Sequence, residues 1–160
     1  SYERSYQLMS QVAGRAGRKS KRGKVIIQSY NPDHQIIRNV IDNDYNTMFT
    51  NEIIDRRNFK YPPFYRLIQV TLRHREIAAV NRAADYLARD MKAVFGNRVL
   101  GPEFPGIAKI RNNYHKKIIL KIEKKASIQT AKEHLRNMYT NAVNLKEFKG
   151  VRVMFDVDPY

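Results

Sequence analysis

In the second half of the chain, apolar positions alternate between two rhythms. A two-residue rhythm marks strands at Arg66 to Arg73 and at Tyr114 to Glu123, where Ile118, Leu120 and Ile122 point one way. Spacings of three and four mark helices. One runs from Ile77 to Phe95, with Ala84, Leu87, Ala88, Met91 and Val94 or Phe95 on one side. The other covers Ser127 to Asn144, with Ile128, Ala131, Leu135, Met138 and Tyr139 inward. Val99-Leu100 reads as a short strand turned by Gly101-Pro102, Lys109 to Arg111 as the start of a hairpin, and Val151 to Val157 as a closing strand. The order β-α-β-β-α-β predicts a split βαβ arrangement, an antiparallel or mixed sheet with two helices on one face.

The first half reads differently. Tyr6, Met9, Val12, Ala13 and Ala16 predict the apolar face of a helix over 2–17 that ends near Gly17-Arg18. Lys24 to Tyr30 is short and β-branched, which predicts a strand. Asn31-Pro32-Asp33 breaks it and starts a helix with the stripe Ile36, Ile37, Val40 and Ile41. A further helix over Asp44 to Asn58 should turn Tyr45, Met48, Phe49, Ile53 and Ile54 inward. The Pro pair in Tyr61-Pro62-Pro63-Phe64 cannot continue a helix, favours an extended link and places a domain boundary nearby. The boundary divides 1–58 from 59–160.

Composition narrows the function classes. The 160 residues hold 30 Lys and Arg against 15 Asp and Glu, a net charge of +15, which predicts a polyanionic partner such as nucleic acid. A hydrophobic fraction of 42% suffices for a core. The absence of cysteine excludes disulfides and thiolate metal sites, and His34, His74, His115 and His134 lack metal-ligand spacing. Asp156 and Asp158 read as strand-end surface groups rather than a metal site. No apolar run suits a membrane span or a signal peptide, so the expected location is the cytoplasm. The chain starts with Ser rather than Met, the expected look of an excised fragment.

The string Gln11-Val12-Ala13-Gly14-Arg15-Ala16-Gly17-Arg18 carries the chemistry. Arg15 and Arg18 lie three positions apart, which on a helix end puts both on one side. The small residues around them, Gly14 and Gly17 included, leave backbone that a bulky partner can approach. Two converging guanidinium groups suit a phosphate chain, because each offers planar, paired donors. Gln11, one turn before Arg15, can add a neutral hydrogen bond. A basic helix end that offsets the helix dipole or grips DNA phosphates fits the same spacing.

The full string resembles motif VI of superfamily 2 helicases, Q-x-x-G-R-x-G-R, at every fixed position. Residues 3–18, the run Gly23 to His34, the segment Glu52 to Phe64, Gly101-Pro102 and the ending Asp156-Val157-Asp158-Pro159 resemble the PriA family of replication-restart helicases. That resemblance implies the end of a RecA-like helicase lobe (helix–strand–helices) followed by a small α+β, ribosomal-protein-like domain that contacts DNA. It implies an ATP-driven 3′→5′ DNA helicase that recognises stalled forks and D-loops and restarts replication by primosome assembly in the bacterial nucleoid. Arg15 and Arg18 would then sense the γ-phosphate, with Gln11 as a coupling residue and Gly14 and Gly17 as ATP-proximal backbone. No G-x-x-x-x-G-K-[ST] loop or paired acidic Mg²⁺ motif occurs, nor does the family's cysteine-rich zinc segment or N-terminal DNA-binding domain. ATP, Mg²⁺ and zinc thus belong to the full-length protein; this piece alone should hydrolyse no ATP and bind no zinc.

Lys109, Arg111, Lys116 and Lys117, with Tyr114 among them, are the candidate DNA-binding residues, since cations with an interleaved aromatic suit a backbone-plus-stacking surface for single strands. Lysines that protect an edge strand from aggregation make the same pattern. Lys124 and Lys125 are candidates for an acidic peptide, which the resemblance identifies as the tail of the single-stranded DNA-binding protein. Arg18 to Arg22 forms a basic turn that suits DNA or solvent equally. Two alternatives to the motor stand: a stand-alone basic nucleic-acid-binding module without ATP-linked activity, and a protein-interaction domain for acidic tails.

Overall fold

The computed structural model describes residues 2–16 and 23–159, which divide into two compact units, Ser1–Phe59 and Lys60–Tyr160.

The first unit holds helices α1 (Tyr2–Ala13), α2 (Gln35–Ile41) and α3 (Tyr45–Asn58). Side chains start the last two. His34 Nδ1 accepts the Ile36 N–H at 3.2 Å, and Asp44 accepts the Thr47 N–H at 3.0 Å. The Thr47 hydrogen bonds hold the Asp44 carboxyl below its usual range. Tyr6, Ile37 and Met48 are the buried apolar residues of this unit. Arg56 ties α1 to α3 by bonding Glu52 at 3.0 Å and Glu3 at 3.3 Å.

Three expectations fail here. Lys24 to Tyr30 is not a strand; residues 23–29 carry no regular structure, and Ile26 is 81% exposed. β-branched residues favour extended backbone, but a strand needs a partner ladder, and the described residues supply none. The predicted stripes are also narrower than expected. Ile41, Tyr45, Phe49 and Ile54 face outward, because one Ile from α2 and one Met from α3 already fill the small centre. Finally, α1 ends at Ala13 rather than near Gly17.

The second unit runs β1 (Tyr65–His74), α4 (Ile77–Phe95), β2 (Val99–Glu103), β3 (Lys109–Ile110), β4 (Asn113–Glu123), α5 (Ile128–Ala142) and β5 (Arg152–Val157). The sheet order is β2-β4-β1-β5, with β3 beside β4 and every pairing antiparallel. This is the split βαβ arrangement, α+β as the alternation predicts. β2 extends past Gly101-Pro102 to Glu103 with a shifted register, rather than turning there. The Pro pair lies in a turn, not an extended link: the Phe64 N–H bonds the Tyr61 carbonyl at 3.1 Å.

Period-two strands and 3.6-residue helices meet in one core. Ile68, Val70, Leu72, Ile118, Leu120 and Ile122 line one sheet face; Val80, Ala83, Ala84, Leu87, Ala88 and Met91 of α4 and Ala131 and Leu135 of α5 cover it. Each large side chain buried there contributes roughly 1.5–3 kcal/mol. Phe95 packs on this core while Val94 stays exposed. Ser127 caps α5 by accepting the Thr130 N–H at 3.2 Å. The close of the unit is clamped. Asp158 accepts the Leu67 N–H at 3.0 Å and two Arg66 guanidinium bonds at 2.8 and 3.1 Å, and its own N–H bonds the Leu67 carbonyl at 2.8 Å.

Candidate functional site

Gln11, Gly14 and Arg15 share one exposed corner of the first unit. Gln11 sits in the last turn of α1. Gly14 to Ala16 form a tighter turn, in which the Arg15 N–H bonds the Val12 carbonyl and the Ala16 N–H the Ala13 carbonyl, both at 3.1 Å. These i→i+3 bonds replace the α-helical pattern the spacing predicts. The physical reason is composition: two glycines in four residues make helix continuation costly. Arg15 therefore projects from a turn beyond the helix, not from its face. Gly17, Arg18 and the basic turn to Arg22 lie outside the described residues. A Cβ on Gly14 would come within 3.3 Å of the Ser10 carbonyl oxygen, so the small residue lets this turn close tightly.

The candidate nucleic-acid cations fall into three places. Lys116 and Lys117 are neighbours on β4, so they point to opposite faces. Lys116 points to the helix side, with its side chain only 11% exposed. Its Nζ lies 5.1 Å from the Phe104 ring centre and 3.7 Å from Asp85. Lys117 points to the face without helices. Tyr114 packs against the core edge, and Lys109 Nζ stands 5.1 Å from its ring centre. Arg111 and Asn112 form the two-residue turn between β3 and β4 with φ of 46° and 62°, the left-handed pair that suits a hairpin's twist. Arg111 is exposed at its tip. The expected single row of cations and an aromatic is thus split between the helix side, the open face and the hairpin. Lys124 and Lys125 are exposed in the turn before α5, away from either row.

Register reveals residues that a linear reading passes over. Leu72 is fully buried against the helices, so Arg73 emerges on the opposite face. Arg73 pairs with His115 on β4 and with Arg152 on β5. Three basic side chains from three adjacent strands therefore stand level on the open face. One rung along, Thr71 lies between Lys117 and Met154; the next holds Gln69 between Ile119 and Asp156. Gln69 donates to the Thr71 hydroxyl at 3.2 Å along this face. Of the acids on this face, Glu103 lies opposite Lys117, and Asp156 lies two rungs from the Arg73–Arg152 level. Strand parity was the available signal: with Ile118 and Leu72 inward, Lys117, His115 and Arg73 must face outward. Further along, burial and the nearby Lys60 charge push the Lys121 ammonium below its usual range, and its Nζ lies 3.9 Å from the Tyr61 ring centre.

Among the described residues no cluster of three or more His, Asp or Glu could hold a metal ion, and no helix is long and apolar enough to cross a membrane.

The comparisons with known proteins agree with one another. The chain is 35% identical to replication restart protein PriA of Bacillus subtilis (strain 168), across 100% of this chain and 20% of that protein. It is 33% identical to replication restart protein PriA of Haemophilus influenzae, across 98% and 21%. The Chlamydia pneumoniae protein of the same name reaches 45%, across 42% and 9%. The chain spans about a fifth of the length of the first of these relatives. A family model described as the primosomal protein N C-terminal domain matches residues 57–160, and the chain belongs to that family.

Proposed function

We propose that this chain is the C-terminal part of an ATP-dependent 3′→5′ DNA helicase that recognises stalled or collapsed forks and restarts replication by primosome assembly. The observation that carries the reading is the full motif Gln11 to Arg18 joined in one chain to a primosomal C-terminal domain. A passive binder needs no such string. In this reading Arg15 and Arg18 approach the γ-phosphate of ATP held with Mg²⁺ elsewhere in the full-length protein, and offset the charge that develops there. The exposed turn at Arg15 suits that task, since a finger must reach beyond its own fold. Gln11 couples the nucleotide to the helix, and Gly14 and Gly17 keep the backbone approachable. Zinc belongs to another segment of the full-length protein. The second unit binds fork, D-loop or single-stranded DNA through its basic surface. The exposed Lys124-Lys125 turn receives the acidic tail of the single-stranded DNA-binding protein.

The test is DNA-stimulated ATP hydrolysis by the full-length protein on a forked substrate, with Arg15→Ala and Arg18→Ala beside the wild type. A fall of about 100-fold or more in turnover, with DNA affinity kept, is expected of γ-phosphate fingers. Unchanged turnover with weaker, more salt-sensitive DNA binding would replace the motor by the stand-alone binding module.

A further inference from the structure

We infer that the open sheet face carries a phosphodiester-binding row made of Arg73, His115 and Arg152, with Lys117 beside it. This rests on the reading of the second unit as a DNA-binding domain and says which face does the binding.

Three observations carry it. The first is register. His115, Arg73 and Arg152 occupy one level on β4, β1 and β5, and the hydrogen-bonded ladder fixes them there. Adjacent strands lie about 4.8 Å apart, so the row presents a basic side chain on each strand over roughly 10 Å, two of them guanidinium groups. A phosphate chain laid across the strands meets these groups in succession. The second is cost. Like charges directly opposite each other on a sheet are destabilising, and Arg73 faces Arg152 across the β1–β5 ladder. Among the described residues neither makes an ion pair, although Arg66, Arg98 and Lys116 of the same unit each have a carboxylate. An anion from outside relieves that repulsion and satisfies both planar donors. The third is access. Arg152 is exposed and Arg73, His115 and Lys117 are half-buried, so each residue of the row keeps some contact with solvent.

Nothing in this row reads base edges. It positions a backbone without regard to sequence, and the hairpin tip with Arg111 and Lys109 extends from the same end of β4. The lysines expected to bind from linear spacing are divided by strand parity, whereas this row is assembled from residues as far as 79 positions apart (152 minus 73).

The experiment measures binding of the chain to a mixed-sequence DNA duplex and to its single strand, across about 50–200 mM salt. Arg73→Gln/Arg152→Gln is compared with wild type and with Lys124→Gln/Lys125→Gln. Two lost phosphate contacts should reduce the slope of log affinity against log salt by about 1.8 on duplex or about 1.4 on single strand, which also tells the two forms apart. Arg152→Glu is the second variant. It turns the repelling pair into an attracting one, so its melting temperature should hold or rise while DNA affinity falls at least as far. A residue with a merely structural role would move both downward. A wild-type slope in both variants overturns the row and leaves the domain's DNA binding intact. Loss of binding to an acidic peptide with DNA binding unchanged overturns it in favour of a protein partner. Failure of the wild type to bind either DNA overturns the row together with the DNA-binding reading beneath it.

Discussion

Asp158 offers a quantitative check on how the second unit is closed. Its carboxylate does three things at once: it accepts the Leu67 N–H, pairs with Arg66, and occupies a left-handed backbone position with φ of 51°. A side-chain acceptor for a backbone N–H is worth about 1 kcal/mol, by analogy with helix caps. The Arg66 pair adds a few tenths, since its side chains are 43% and 41% exposed and solvent screens them. Asp158→Ala loses both and strains the left-handed residue by about 1 kcal/mol. The total is on the order of 2 kcal/mol, or roughly 8–16 °C in melting temperature for a unit of about 100 residues. Asp158→Asn keeps an acceptor and tolerates the positive φ, so it should lose less than half of that. The pH dependence has a definite sign. The Leu67 N–H, opposed in part by burial and helped by the Arg66 and Lys132 charges, holds the carboxyl below its ordinary 3.8. A lowered folded-state value means the carboxylate's contribution is fully present above pH 3.8 and disappears as pH falls through the folded value. Thermal melts by circular dichroism from neutral to acid pH should show the wild type converging on Asp158→Asn below that point. A wild-type melt for Asp158→Ala at neutral pH, or a gap that persists undiminished in acid, would refute the clamp.

Two further outcomes follow from the β2–β4 edge. Gly101→Ala should cost on the order of 2 kcal/mol or more in urea denaturation, because φ is +91° and the new Cβ would lie 2.7 Å from the Lys117 carbonyl oxygen. Lys117→Gln should lower the salt slope of DNA binding by about 1, while Lys116→Gln, whose head is engaged with Phe104 and Asp85, should leave it unchanged.

The second unit was legible because its patterns are local and strong. The helix expected from Ile77 to Phe95 has those bounds, and the strand at Arg66 to Arg73 gains one residue at each end. The first unit was less so. Lys24 to Tyr30 has strand chemistry, but strand formation depends on a partner that propensity does not contain. Three-residue spacing puts Arg15 on a helix because it counts Gly as any other residue, although glycines end helices. The basic row was hidden for another reason. Its members gather only through register, and the pairing of Arg73 with Arg152 is information held by the whole sheet. Parity within β4 alone would have separated Lys116 from Lys117.

The Asp158 clamp also has a mechanical meaning. β5 runs antiparallel to β1, and Asp158 closes onto Leu67, near the point where the chain enters the sheet from the Tyr61–Phe64 turn. Tension between that entry and Asp158 would load the β1–β5 hydrogen bonds one after another, as a zipper, instead of shearing them all together. The carboxylate is then the first bond to meet the force. Peeling past it would carry Arg152 away from Arg73 last of all, so the cationic row would outlast most of the strand that completes it.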